Sequence, residues 1–268
     1  MDLKNKVILI TGATDGIGKA TAKEAAKKGA QLIIHGRDEN RIINTLEEIR
    51  EITKDVFGIQ ADFADLQQVS NAAKEINENF DKIDILFNNA GEFNKERIIT
   101  KDKFERTFQV NYLAHFLFTE LLAHKIKNTE EARILNITSM IHSSEIDFNN
   151  LQSEKNYNGN AAYSLSKLLN ILHTYKLSRM FENNKITVNC LHPGIIETKL
   201  LNAAWSGGMP VSEGAATMLY AAESEVTKTM SGLYSENRRP MQSNPITYNS
   251  EVQDKLYDIS TEMVKSFL

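Results

Sequence analysis

The sequence predicts an α/β fold in which one doubly wound, mostly parallel sheet of seven strands carries helices on both faces. Two observations lead to this fold class. Short apolar runs, typical of strands buried on both faces of a parallel sheet, alternate with longer amphipathic stretches along the chain. The 268 residues also suit one large domain, predicted to span residues 1–268, and are too few for two domains of that size.

Each strand is predicted from a short apolar run, most of them rich in β-branched residues. The strands are Val7–Ile10, Leu32–Ile34, Val56–Ile59, Ile83–Phe87, Ile134–Ile137, Thr187–Leu191 and Gly232–Tyr234. Helices are predicted between them, as where Ile42, Leu46 and Ile49 recur on one face, and Gly29 is expected to end the first helix. The helices are Lys19–Lys28, Arg41–Ile52, Leu66–Asn79, Asp102–Lys125, Ala161–Phe181 and Val252–Ser266.

The composition limits the classes of function. The net charge is −4 and no basic stripe is present, so nucleic acid is not expected as a partner. Cys190 is the only cysteine, which excludes a disulfide within the chain and argues against a cysteine-based metal site. No apolar run is long enough to span a membrane, and the polar start Met1–Lys6 is unlike a secretory signal. A cytoplasmic protein is therefore expected.

The turn after the first strand predicts a phosphate-binding loop. Its glycines follow the spacing G-x-x-x-G-x-G. Gly12 suits a tight turn, Gly16 lets the backbone approach a pyrophosphate, and Gly18 allows close packing of helix against strand. The alternative is an ordinary glycine-rich turn. Because the loop lies between a strand and a helix, as dinucleotide binding requires, we predict a Rossmann-type domain.

The end of the second strand predicts which nicotinamide cofactor is preferred. An NAD site usually places a carboxylate here to bind the adenosine ribose, but this chain has Gly36 followed by Arg37. A guanidinium suits a 2′-phosphate, so NADP(H) is predicted over NAD(H). The alternative is that Arg37 is a solvent-facing charge at the start of a helix, with Asp38 beside it.

Residues at the ends of later strands are predicted to line the same cofactor site. Asp62 can accept a hydrogen bond from an adenine amino group or serve as a helix N-cap or turn acid. Residues 88–91 are Asn-Asn-Ala-Gly, which let the backbone lie along a cofactor or simply mark a turn. The predicted cofactor-binding residues are Gly12, Thr14, Asp15, Gly16, Ile17, Gly18, Arg37, Asp62, Phe63, Asn89, Ala90, Gly91, Tyr163, Lys167, Pro193, Gly194, Ile196 and Thr198.

Four residues are candidates for the chemistry. Tyr163 and Lys167 lie four residues apart and so share one helix face, where an ammonium can lower the pKa of a phenol from about 10 toward useful acid–base chemistry. Ser139 follows the fifth strand, where its hydroxyl can bond a substrate oxygen. Asn111 lies in an apolar helix, where it can bend the helix, hold a water that links to Lys167, or be a core amide satisfied by backbone.

Together these motifs resemble the short-chain dehydrogenase/reductase family. The glycine motif, Asn88–Gly91, Asn111, Ser139, the Tyr163/Lys167 pair and Pro193-Gly194 occur in the order of that family. A closer resemblance is to its retinol-dehydrogenase-like branch. The stretches that carry it are Asn111–Phe116, Phe148-x-x-Leu151-x-x-Glu154-x-x-Tyr157 before Ala161–Tyr163, His192–Gly194 and Ser231–Tyr234.

The resemblance implies roles for these residues. Tyr163 would be the general acid or base, Lys167 would lower its pKa and bind the ribose, and Ser139 would orient the substrate oxygen. Asn111 would support a water-mediated proton path, and no metal is needed. The long helices Asp102–Lys125 and Ala161–Phe181 often form dimer faces in this family, so a homodimer is a further prediction.

The predicted function is hydride transfer between NADP(H) and a carbonyl or alcohol, and the alternative is a catalytically vestigial NADP(H)-binding sensor or scaffold. Residues 195–215 carry apolar side chains around Gly207-Gly208 and are interpreted as a lid over an apolar substrate. Membrane-bound retinoid enzymes of the branch usually carry an apolar N-terminal anchor. Its apparent absence favours a carbonyl reductase over a retinoid enzyme. Thr138 also stands where the family has a second serine.

Overall fold

In the computed structural model, which describes residues 1–129, 131–182 and 185–268, one sheet has the order β3-β2-β1-β4-β5-β6-β7-β8. The strands are β1 Val7–Ile10, β2 Gln31–Gly36, β3 Val56–Gln60, β4 Ile85–Asn88, β5 Ala132–Ile137, β6 Ile186–His192, β7 Tyr234–Glu236 and β8 Arg239–Met241. β1 to β7 pair in parallel, and β8 pairs antiparallel with β7. The predicted doubly wound α/β class is confirmed.

The predicted number of seven strands is one too few. Asn237 and Arg238 both have positive φ, so the chain reverses in a tight turn and returns as β8, whose residues are exposed and carry no apolar pattern. The last parallel strand was expected at Gly232–Tyr234 but begins only at Tyr234. Gly232 has φ +76°, which is outside the range of strand backbone.

The helices lie in two layers, one on each face of the sheet. Their bounds are α1 Gly16–Lys27, α2 Glu39–Arg50, α3 Leu66–Asn79, α4 Arg106–Phe108, α5 Ala114–Lys127, α6 Gly159–Met180, α7 Lys199–Ala204, α8 Val211–Glu223, α9 Glu225–Thr229 and α10 Ser250–Val264. One face packs on α1, α2 and α8, and the other packs on α3, α5, α6 and α10. Among the described residues, no helix is both long and apolar enough to cross a membrane.

The helix predicted at Asp102–Lys125 is interrupted. Lys103 has φ +69°, so the helical backbone begins only at Arg106. A π-helical segment, Gln109–Leu113, then joins α4 to α5. Such an insertion of one wider turn is frequent at functional sites, and this one contains Asn111.

The sheet topology places the site. β1 lies between β2 and β4, so the chain winds outward in both directions from this point. In such sheets a crevice opens beyond the carboxyl ends of the strands where the winding reverses. The turns after β1, β2, β3, β4, β5 and β6 all end at this edge.

Candidate active site

A cavity of about 630 Å³ lies at this edge of the sheet. A cavity of this size is within the usual range for small-molecule sites. Every predicted site residue lines the cavity except Asn111. The sequence motifs, which are spread over nearly 190 residues, are therefore brought together by the fold.

The loop between β1 and α1 has the shape that its glycines predict. Gly12 and Gly16 have φ of +65° and +51°, a range that side chains rarely adopt. A Cβ at Gly18 would lie 2.4 Å from the carbonyl oxygen of Gly12 and 2.6 Å from Nδ2 of Asn89. The helix therefore starts directly beneath the loop, and its first residues, Gly16, Ile17 and Gly18, line the cavity.

Asp15 links this loop to two other elements. It caps α1 by accepting a hydrogen bond from Gly16 N. Its carboxylate also accepts from Arg41 at 2.6 Å and from Lys199 at 2.8 Å. Although partial burial acts to raise the pKa of Asp15, these hydrogen bonds lower it to about 2. Asp15 thus connects α2 and α7 across the cavity.

A side chain at position 36 would collide with its neighbours, since a Cβ at Gly36 would lie 2.5 Å from Cγ2 of Thr14. The cationic groups at this end include Arg37, whose Nη1 lies 3.7 Å from Oε2 of Glu92, and Arg41. The side chain of Arg37 is 60% exposed, so it is free to meet a ligand at the rim.

The turn after β3 is held by a hydrogen bond within the turn and by a stacking contact with His35 of β2. Asp62 accepts a hydrogen bond from Ala64 N, as the turn-acid alternative anticipated. The ring of Phe63 stacks on His35 with centroids 4.3 Å apart. Burial lowers the pKa of His35 to about 4, so the ring is neutral at pH 7, accepts from Gly12 N and donates to Ala61 O.

The turn after β4 is joined to the glycine loop. The Thr11 hydroxyl accepts from the backbone N–H groups of Asn89 and Ala90, and Asn89 donates to Thr11 O at 2.7 Å. A Cβ at Gly12 would lie 2.9 Å from Cα of Ala90. These contacts hold two stretches of backbone against each other along one wall of the cavity.

At the other end of the cavity lie Tyr163 and Lys167 of α6 and Ser139 after β5, all of them buried. Burial raises the pKa of Tyr163 to about 12, against the opposite influence of a hydrogen bond with Ser139. Burial also lowers the pKa of Lys167 to about 8. Lys167 Nζ donates to Ile137 O at 3.0 Å and lies 5.5 Å from the centre of the Tyr163 ring.

Burial is the dominant influence on the pKa of Tyr163, and the ammonium of Lys167 donates to a backbone carbonyl. The expectation that Lys167 lowers the pKa of Tyr163 stays a prediction.

Asn111 is placed differently from the expectation. Its amide accepts from Glu92 N and donates to Glu92 O and to Ser166 Oγ. The side chain is fully buried and does not reach the cavity. The alternative of a core amide satisfied largely by backbone describes it, with the added finding that it lies in the π-helical segment.

Comparisons with known proteins agree with this arrangement. A family model described as short chain dehydrogenase matches residues 6–207. The chain belongs to the short-chain dehydrogenase family. It is an oxidoreductase of that family, within the retinol-dehydrogenase-like branch.

Relatives of this short-chain dehydrogenase match over nearly the whole chain. Retinol dehydrogenase 14 of Mus musculus is 35% identical over 98% of this chain and 86% of its own length. An uncharacterized protein from Mycobacterium paratuberculosis has 27% identity and a TM-score of 0.83, covering 98% of this chain and 96% of that one. A short chain dehydrogenase from Burkholderia cenocepacia, solved in complex with NADP, has 27% identity and a TM-score of 0.72, covering 88% and 97%.

Thr138, the departure from the family pattern, has a structural explanation. Its hydroxyl donates to Lys167 O at 2.8 Å, which fastens α6 to the end of β5. A threonine makes this bond as well as a serine does.

Sequence reasoning missed several residues that line the cavity of this dehydrogenase. Among them are Arg41, Glu92 and Phe93. Arg41 lies four residues after Arg37, in the first turn of α2, a spacing that can be recognised in the sequence. Glu92 and Phe93 directly follow the Asn-Asn-Ala-Gly turn, but no pattern within the loop distinguishes them.

Proposed function

We propose that the chain is an NADP(H)-dependent oxidoreductase that interconverts a carbonyl and an alcohol, with Tyr163 as the general acid or base. One observation carries this proposal. A single cavity has two arginines at one end, Arg37 and Arg41, and a buried Ser139, Tyr163 and Lys167 set at the other. Cations suit a 2′-phosphate, and the buried hydroxyls suit a substrate oxygen.

The residues present fit a dinucleotide. Gly12, Gly16 and Gly18 leave a cradle that side chains would fill, at the amino end of α1, where a pyrophosphate is favoured. Asp62 and Phe63 would border the adenine, and Lys167 would hold a ribose. When bound, the cofactor supplies the hydride and, in its oxidised form, a positive charge near the site.

The chain's own groups would then handle the oxygen and the proton. Ser139 Oγ accepts from Ile141 N at 3.1 Å and is hydrogen-bonded with Tyr163, and its O–H would turn from Tyr163 to donate to a substrate oxygen. With its pKa near 12, Tyr163 is a phenol at pH 7 and gives its proton to that oxygen during reduction. Lys167 stabilises the phenolate that results.

A second candidate is an NADP(H)-binding sensor without turnover. The raised pKa of Tyr163 favours it, because the phenol is a poor base near neutral pH in the chain by itself. The intact set of polar groups around the cavity favours the enzyme.

The experiment compares wild type, Tyr163→Phe and a matched control, Tyr175→Phe. Tyr175 is also buried on α6, but its hydroxyl bonds Ser243, away from the cavity. With NADPH and a panel of aldehydes, ketones and quinones, Tyr163→Phe is expected to lower kcat/KM by at least about 10², and the control to leave it nearly unchanged. Calorimetry should show that all three proteins still bind NADPH. NADPH binding without turnover of any carbonyl by wild type would support the sensor instead.

A further inference from the structure

Two aromatic rings from different elements lie beside Tyr163. Phe93 comes from the loop after β4, and Trp205 follows the last residue of α7. Their centroids lie 6.1 Å and 5.8 Å from that of Tyr163, and 5.4 Å from each other. The interplanar angles are 58° to 62°, so each ring presents an edge or a tilted face to the others.

Neither Phe93 nor Trp205 belongs to the hydrogen-bonded machinery of the site. Gly159 makes room for Phe93, since a Cβ there would lie 3.1 Å from Cζ of that ring. Both rings line the cavity and are only partly buried. Two aromatic surfaces are thus left available next to the reacting hydroxyl.

The segment that carries Trp205 is attached mainly at its base. Glu197 N donates to Met209 O and Met209 N to Ile195 O, which closes residues 198–208 into a loop. α7 within that loop has no buried side chain. Apart from the Lys199–Asp15 ion pair, its inward contacts are made by apolar residues and by the Trp205 ring.

Much of the cavity lining outside the glycine loop is apolar. It includes Met140, Ile141, Ile195, Leu200, Leu201 and Ala203. The charged lining residues near the two rings are engaged elsewhere. Lys167 donates to Ile137 O, and Glu92, directly before Phe93, is paired with Arg106 at 2.7 Å.

Building on the proposed function, we propose that Phe93 and Trp205 form an aromatic clamp that selects flat, aromatic carbonyl compounds over saturated ones. Aromatic faces and edges attract one another beyond the effect of apolar area alone. Because rings with centroids 5.4 Å apart are already in contact, a planar substrate ring would pack against the surfaces that both rings turn to the cavity rather than insert between them. The two residues determine specificity, while Ser139 and Tyr163 act on the carbonyl oxygen.

The first test compares benzaldehyde with cyclohexanecarboxaldehyde, which share a six-membered ring and a formyl group. Their kcat/KM ratio is measured in wild type, Trp205→Leu and Trp205→Phe, so that intrinsic reactivity cancels between proteins. Trp205→Leu is expected to lower the aromatic-to-saturated ratio about 5- to 10-fold, and Trp205→Phe to retain it within about 2-fold. An unchanged ratio in Trp205→Leu would overturn the clamp.

The second test does not depend on turnover. Trp205 is the only tryptophan of the chain, so its fluorescence reports on this loop alone. With NADP⁺ present, benzaldehyde is expected to quench the emission saturably, and cyclohexanecarboxaldehyde to leave it unchanged. If neither aldehyde is reduced but benzaldehyde alone quenches, the clamp stands and the proposed catalysis fails. If both aldehydes are reduced but the two have the same effect on Trp205 emission, whether quenching or none, the catalysis stands and the clamp is wrong.

Discussion

The proposed preference for NADP(H) depends on two arginines at the rim of the cavity. Arg37 extends from the end of β2 and keeps 60% of its side chain exposed. Arg41, in the first turn of α2, is held by Asp15 of the glycine loop at 2.6 Å. An anion between them would be met by one largely exposed guanidinium and one that is already positioned by an ion pair.

We expect Arg37→Ala and Arg41→Ala each to weaken the use of NADPH and to spare that of NADH. A charge-assisted contact contributes about 1.5–3 kcal/mol, so kcat/KM for NADPH should fall by about 10- to 150-fold. Arg50→Ala, at the exposed far end of α2, is the matched control. An equal loss with both cofactors would mean that these side chains hold something other than the 2′-phosphate.

Sequence reasoning reached Arg37 but not Arg41 or Phe93, and the difference is physical. Arg37 directly follows the second strand. Dinucleotide-binding domains contact the adenosine ribose at this position, so the role of Arg37 can be predicted from the sequence. Arg41 is held at the cavity by a hydrogen bond to Asp15, which lies 26 residues away in the sequence. Phe93 can occupy its position because Gly159, which packs against its ring, has no side chain. Such partners become visible only when the chain is folded.

Among the elements, α10 determines what the long helices can contact. Ser260 bonds the hydroxyl of the buried Tyr112, and Tyr257 packs on Phe116 of α5 with centroids 5.2 Å apart. Lys176 of α6 donates to Asp254 at 2.7 Å. α10 therefore covers part of the helix face that the family resemblance offered for a homodimer.

From this packing we expect a monomer. A face already covered by an intramolecular helix has little apolar area left to stabilise a partner. Light scattering of the purified chain should give a mass close to 30.2 kDa at micromolar concentration. A mass of twice that value would show that copies associate through another surface.

A comparison of predicted and observed elements shows which strands and helices the sequence pattern was sufficient to predict. The alternation of apolar runs and amphipathic stretches predicted β1 to β6 and most helices. It did not predict α8, whose apolar content is largely alanine and which packs closely on α1 through Gly214. The π-helical segment was equally hidden, because the extra residue in its turn leaves no periodic signal.

For the molecule as a whole, buried histidines govern the response to acid. His35, His115 and His173 are each fully buried, and burial lowers their pKa values to about 4, 3 and 3. In the unfolded chain each binds a proton near pH 6.5. Between these values the unfolded state binds more protons than the folded state, so stability falls as the pH falls.

We expect the free energy of unfolding to decrease below pH 6.5 by about 1.4 kcal/mol per pH unit for each of these histidines. His173→Leu should reduce that slope by one such increment, because it removes one group that protonates only on unfolding. Urea titrations between pH 7 and pH 4.5 measure the slope. His124→Leu, at an exposed position of α5, should leave the slope unchanged. An equal slope in wild type and His173→Leu would contradict this explanation.

The most direct test of the central claim follows the hydride itself. Reduction of an aldehyde or ketone substrate is run with NADPH carrying deuterium at one or the other face of nicotinamide C4, and the product is analysed by mass spectrometry. The account predicts one deuterium on the carbinol carbon from one of the two labelled cofactors and none from the other, with turnover strongly reduced in Tyr163→Phe. Alcohol that forms without deuterium from either cofactor, or a Tyr163→Phe variant as active as wild type, would contradict it.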